Sequence, residues 1–189
     1  MNSLFSKRLL IENNNYKIRL VNHKDLSYLL NIYSNHENLE YINKDDSNGD
    51  DFYCENIDIL KEKFKFWKFA YKSKWFIKLS IISKKENEVI GLIELLYRKS
   101  YDSFNDTIVL KLDLLLEKEN KDIIKEIFEL VNDKVLTNVK YNKIATKATP
   151  IMIERQNALL ELGYKLSNRI LIGMDDNKEY KHYFIKNKK

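Results

Sequence analysis

A mixed α/β fold is predicted for this chain by three features of its sequence. Apolar runs with strand alternation interleave with amphipathic segments of helical period, residues 112–131 carry a strand through a short polar turn straight into a helix, and a second strand–helix pair follows at 143–162. Two further β-rich runs, 74–83 and 88–97, are separated only by Lys84, Lys85, Glu86 and Asn87, which is the spacing of an antiparallel hairpin. Strand–helix–strand units require parallel pairing and a hairpin requires antiparallel pairing, so the sheet is expected to be mixed. The expected architecture is a central twisted sheet of about seven strands flanked by about four helices. A chain of 189 residues that is 44% hydrophobic and 12% aromatic suffices for one domain over residues 1–189, with its core in 16–185.

Taken in order, residues 16–21 alternate apolar Tyr16, Ile18 and Leu20 with Lys17 and Arg19, a strand pattern. Asn22 then reads as a helix N-cap with Asp25 at the third helical position, and Leu26, Leu29, Leu30 and Tyr33 fall on one face. The polar run NKDDSNGDD, residues 43–51, reads as an exposed loop. Ile57, Leu60, Phe64, Trp67 and Tyr71 recur at helical spacing, with lysine and glutamate on the opposite face. Gly91 marks a bulge in the second hairpin strand. Residues 107–116 form a third long strand, and Ile123, Ile124, Ile127, Phe128, Val131 and Val135 make the stripe of the helix that follows. Ile144, Thr146 and Ala148 alternate in a short strand. Thr149 then caps a helix with Pro150 at its first position, and Gly163 stops it after Leu162. Residues 169–174 and 180–185 read as the last strands.

Composition removes several function classes. The single cysteine, Cys54, has no partner for an intrachain disulfide, and the N-terminal MNSLFSKRLLIEN carries charge where a signal peptide needs an apolar run, so a cytoplasmic location is expected. No apolar run approaches the ~20 residues that span a bilayer, and no membrane role is expected. The net charge of +5 is spread among interspersed lysines and acids, a weak argument for nucleic acid. The segment KEKFKFWKFAYKSKW, residues 61–75, interleaves lysines with aromatics, but helical phasing puts Phe64, Trp67 and Tyr71 on one buried face and Lys61, Lys65, Lys68 and Lys72 on another. His23, His36 and His182 lack metal-ligand spacing.

The junction within 112–131 has the geometry of an anion site, because the first N–H groups of a helix lack intrahelical partners and carry partial positive charge. Its turn reads Glu117-Lys118-Glu119-Asn120-Lys121-Asp122 and contains no glycine. Glycine is the usual residue where backbone approaches a phosphate closely. A solvated cap, with Asn120 or Asp122 accepting helix N–H bonds, is the other reading of the same residues.

The order of elements, with the segments IRLVNHKDLSYLLNIYSN, EVIGLIEL, the strand–turn–helix from Leu112 and KIATKATPIMIERQNALLELGYK, resembles the GNAT superfamily of N-acetyltransferases, and within it the branch that acetylates ribosomal-protein N-termini. The resemblance spans residues 16–185 and implies acetyl-CoA as cosubstrate. It places the polarising backbone for the thioester at Leu114, Leu115 and Leu116, and the pyrophosphate at Lys118, Asn120, Lys121, Asp122 and Ile123. The family's Q/R-x-x-G-x-G/A motif falls on Glu119, Asn120, Asp122 and Ile124, so its basic or amide residue and its glycines are absent. Asp113 and Glu94 are the general-base candidates, each set among apolar neighbours that raise a carboxylate's pKa; strand charges facing solvent are the plainer alternative. The family's tyrosine acid falls on Leu159 and its asparagine on Met152, while Tyr164 reads as a core aromatic. The activity implied is direct acetylation of a primary amine on a small molecule or peptide. The alternatives are a degenerate member serving as a binding or assembly module, and a basic RNA-associating protein. Acceptor and oligomeric state are not legible.

Overall fold

The computed structural model describes residues 4, 5 and 9–188. Its strands are β1 (Leu10–Glu12), β2 (Tyr16–Leu20), β3 (Phe76–Ser83), β4 (Glu88–Arg98), β5 (Thr107–Leu114), β6 (Lys143–Lys147), β7 (Lys165–Leu166), β8 (Leu171–Ile172), β9 (Glu179–Tyr180) and β10 (Tyr183–Asn187). The helices are α1 (Leu26–Tyr33), α2 (His36–Leu39), α3 (Ile57–Lys72), α4 (Lys121–Lys134) and α5 (Ile153–Glu161). Eight strands form one sheet in the order β1-β2-β3-β4-β5-β6-β10-β7, in which β5 and β6 pair parallel and the other neighbours antiparallel. This is the mixed α/β architecture expected, with one strand and one helix more than anticipated.

Each face of the sheet has its own core. Leu79, Ile93, Leu110, Leu112 and Leu114 pack with Ile124, Ile127 and Phe128 of α4 and Ala158 and Leu159 of α5. On the other face Val89 and Leu92 pack with Leu29 and Tyr33 of α1 and Leu60, Phe64 and Trp67 of α3. The change of phase within β4 comes from a bulge. Ile81 pairs with Gly91 but Ile82 with Val89, so Ile90 is an extra residue that resets the alternation. Gly91 is required there, since a Cβ would lie 2.6 Å from the Asp113 carbonyl oxygen.

Asn22 caps a short 3-10 turn ahead of α1, and the reciprocal bond from its own backbone N–H to Asp25 completes a capping box. Gly163, at φ +82, closes α5 as expected, with Tyr164 N donating to the Leu159 carbonyl at 2.9 Å. The start of α5 differs from expectation. Pro150 sits in the Thr149–Met152 turn, where Met152 N donates to Thr149 O at 3.0 Å, and the helix opens at Ile153. The final strands are also shorter than expected. His182 has φ +65, which breaks the run 180–185 so that β9 pairs β8 in a two-stranded ribbon while β10 returns to the main sheet. The loop 43–51 is not wholly exposed, for Asn43 and Asp45 are buried.

The connection after β4 contains Asp102, which accepts from Ser100 Oγ at 2.6 Å, Arg98 Nη2 at 2.8 Å, Phe104 N at 2.9 Å and Ile172 N at 3.0 Å. Burial works to raise its pKa, but these donors outweigh burial and hold it at about 2. A carboxylate lowered by folding stabilises above its unfolded pKa and loses that contribution as pH falls through the folded value. About 2 kcal/mol of stability is therefore expected to disappear between about pH 4 and pH 2 through this group. Urea unfolding across that range checks it, and Asp102→Asn is expected to lower stability at neutral pH and flatten the acid limb.

Candidate functional site

β5 and β6 pair only from Thr107–Lys143 to Val109–Ala145, after which no pairing joins them. Leu115 N donates to the Ile90 carbonyl at 3.0 Å. In the antiparallel register of β5 on β4, that bond fixes the alternation: Asp113 and Lys111 turn their backbone groups to β4, and Leu112 and Leu114 turn theirs towards the gap beside β6. Asn38 of α2 reaches into this gap. Its Nδ2 donates to the Leu114 carbonyl at 2.6 Å, and its Oδ1 accepts from Leu116 N at 3.4 Å. The side-chain carboxamide thus completes a ladder that no strand continues.

The start of α4 gathers the expected residues in one place and gives their amides internal acceptors. Asn120 Oδ1 accepts from Asp122 N at 2.9 Å and Ile123 N at 3.4 Å, and its carbonyl accepts from Ile124 N at 3.0 Å. Lys121 N donates to Glu154 Oε2 at 2.9 Å. Both lysines of the turn are engaged, Lys118 with Glu86 and Lys121 with Glu161 at 2.8 Å. Directly before the helix, Glu119 accepts a two-pronged ion pair from Arg155 of α5, at 2.7 and 2.8 Å, with side-chain exposures of 4% and 1%. Arg155 Nη1 also donates to the Tyr41 carbonyl at 3.2 Å. Sequence reasoning missed Arg155, although an arginine on the stripe shared with Ala158 and Leu159 demands a buried anion.

The two candidate carboxylates are both buried, contrary to the solvent-facing alternative, because α1, α3 and loop 43–51 cover the face they occupy. Asp113 Oδ2 accepts from the Tyr33 hydroxyl at 2.7 Å, while Oδ1 has no hydrogen-bond partner among the described residues. Burial raises its pKa. Glu94 behaves oppositely and corrects the expectation of a raised value. Burial works upwards, but Lys78 at 2.7 Å and Lys111 at 3.8 Å outweigh it and lower the pKa. Loop 43–51 ties into this layer through Asp45, whose carbonyl accepts from Lys111 Nζ at 2.9 Å and whose carboxylate takes Lys147 at 2.5 Å and the Tyr183 hydroxyl at 3.1 Å.

Other candidates resolve simply. Leu159 and Met152 are buried apolar residues. Tyr164 is a core aromatic, edge-on to Phe128 with ring centroids 5.9 Å apart. Cys54 is buried, and that burial pushes its thiol up to about 11, so it is a packing residue rather than a thiolate. Among the described residues no cluster of His, Cys, Asp or Glu could hold a metal, and no helix is long and apolar enough to cross a membrane.

No protein-family model and no curated protein matches the chain. Solved structures do. A ribosomal-protein alanine acetyltransferase from Vibrio fischeri is similar at TM-score 0.67 and 15% identity, over 95% of this chain and 96% of that one. Spermidine N-acetyltransferase from Vibrio cholerae, solved with CoA and spermine, gives 0.63 and 14% over 93% and 94%. RimJ from Mycobacterium smegmatis, solved with CoA-disulfide, gives 0.68 and 11% over 94% and 84%. The fold is that of the GNAT acetyltransferases.

Proposed function

We propose that this chain is an N-acyltransferase that takes its acyl group from a coenzyme A thioester and passes it to a primary amine by direct attack. The observation that carries this reading is the parting of β5 and β6, with the backbone of Leu112 and Leu114 facing the gap. Solved neighbours of the same fold include two with coenzyme A or its disulfide bound. Asn38 shows that the gap accepts an amide, and the amide-bearing arm of such a cofactor would take the place of its carboxamide on Leu114 O and Leu116 N. The start of α4 does not fit a pyrophosphate as it is arranged. Its amides bond to Asn120 and Glu154, and Glu119, Asp122 and Glu154 would repel a phosphate. No step is therefore assigned to Lys118, Asn120, Lys121, Asp122 or Ile123.

A coenzyme A thioester would supply the activated acyl group when bound. The chain would supply the setting: the N–H of Leu114, turned to the gap, would donate to developing negative charge on a carbonyl oxygen, joined by that of Leu116 if Asn38 gives it up, whereas Leu115 N is held by the Ile90 carbonyl. Asp113 is the proton acceptor, since its Oδ1 has no partner among the described residues, burial raises its pKa and Tyr33 fixes its other oxygen. Glu94 is locked between two lysines and balances their charge instead of taking a proton. Acceptors are expected among primary amines of small molecules or peptides; spermidine and ribosomal proteins appear in the names of the neighbours.

The ion pair of Glu119 with Arg155 and the capping of Lys121 by Glu154 favour a second reading, a binding module that no longer acylates. Thiol release from acetyl-CoA, measured with polyamines and with peptides bearing free N-termini, tests the first reading. Release above the amine-free rate supports it, and none with any amine at millimolar cofactor leaves the second.

A further inference from the structure

Helix α3 carries two apolar stripes where one was expected. Leu60, Phe64, Trp67 and Ala70 are buried against the sheet. On a separate face Ile59, Phe66 and Phe69 stand 39%, 50% and 53% exposed, and Trp75, just past the helix end, is 54% exposed. These rings touch one another: Phe69 meets Trp75 edge-on at 5.2 Å, and Phe66 lies 6.4 Å from Trp75. At helical spacing Lys61, Lys65, Lys68 and Lys72 form the adjoining flank, with Lys74 at its end. Lys61 and Lys65 pair with Asp58 and Glu62, which leaves the flank clearly positive.

We propose that this ridge seats the protein on an anionic lipid surface, an activity separate from acyl transfer. A solvent-exposed aromatic ridge beside a row of lysines is the composition of an interfacial helix, with rings entering the headgroup boundary and lysine stems reaching back to the phosphates. Charge complementarity selects anionic over neutral lipid. The edge-on packing of Phe69 on Trp75 argues against single-stranded nucleic acid, which needs ring faces free for bases to stack on. This is attachment along a surface and involves no spanning segment.

The test is co-sedimentation of the full chain with phosphatidylcholine vesicles, with and without phosphatidylserine, while following tryptophan emission. Trp67 is buried, so a blue shift reports Trp75. Binding and a blue shift only with phosphatidylserine are expected, weakened about tenfold or more in F66S/F69S, which keeps Trp75 as probe and whose folding is checked by circular dichroism. Absence of binding, equal binding to neutral vesicles, or binding unchanged in the variant overturns the proposal. So does tight binding of a poly(U) probe that F66S/F69S abolishes in a protein that ignores vesicles.

Discussion

Replacing Arg155 with alanine is expected to cost about 3–5 kcal/mol of folding stability. Its guanidinium is 1% exposed and holds Glu119 with two bonds and the Tyr41 carbonyl with a third. The variant strands a carboxylate and a carbonyl in a place that water reaches poorly, and the penalty of an unpaired buried charge dominates the lost bonds. The paired variant Arg155→Met with Glu119→Gln removes both charges and is expected to recover most of the loss, since a buried ion pair and a well-packed neutral pair differ little. Urea unfolding of the single and paired variants measures this. A single-variant cost below about 1 kcal/mol would show that Glu119 escapes to solvent and that the ion pair does not hold α5 to the start of α4.

Asp113→Asn is expected to lower acyl transfer by about 10²–10⁴-fold, the range for loss of a general base. Asparagine keeps the acceptor for Tyr33 and nearly the same volume, so the fold is expected to survive. The pH dependence carries a sign that separates chemistry from structure. A base with a raised pKa works only once deprotonated, so the rate should climb with pH through a midpoint above the ordinary carboxylate range. Stability runs the other way. Because folding raises this pKa, its contribution is fully present below the unfolded value and is lost as pH rises through the folded one. Both trends should vanish in the variant. An unchanged rate would remove Asp113 from the chemistry, whatever happens to stability.

Local patterns made much of this fold legible. The hairpin at β3 and β4 and the passage from β5 into α4 follow from alternation and helical period, which neighbouring residues set among themselves. Strand β7 was not legible, because two residues show no period and their pairing is decided by the distant Phe184 and Ile185, while β8 and β9 were legible only as parts of the longer runs 169–174 and 180–185. The same division holds at the site. The missing glycines before α4 could be read directly, and so could Asn120 as a cap. The burial of Glu94 and Asp113 could not, because alternation says which residues share a face and not that α1, α3 and loop 43–51 cover it. Arg155 and Glu119 are 36 residues apart, and only the packing of α5 on α4 brings them together. The lysine-rich face of α3 hid a second apolar stripe, since phasing on Phe64 and Trp67 accounts for one side of the helix and leaves Phe66 and Phe69 outside it.

The account rests on the gap between β5 and β6 receiving a coenzyme A thioester although the chain's own groups hold the first amides of α4. Titrating acetyl-CoA against thermal stability, in the wild type and in Glu154→Gln, tests this directly. The wild type is expected to be stabilised only at millimolar cofactor. Glu154→Gln removes the charge that Lys121 N now faces and is expected to respond at lower concentration, approaching about 2.7 kcal/mol when cofactor reaches about 100 times its Kd. No stabilisation of either protein at millimolar acetyl-CoA would contradict the acyltransferase reading.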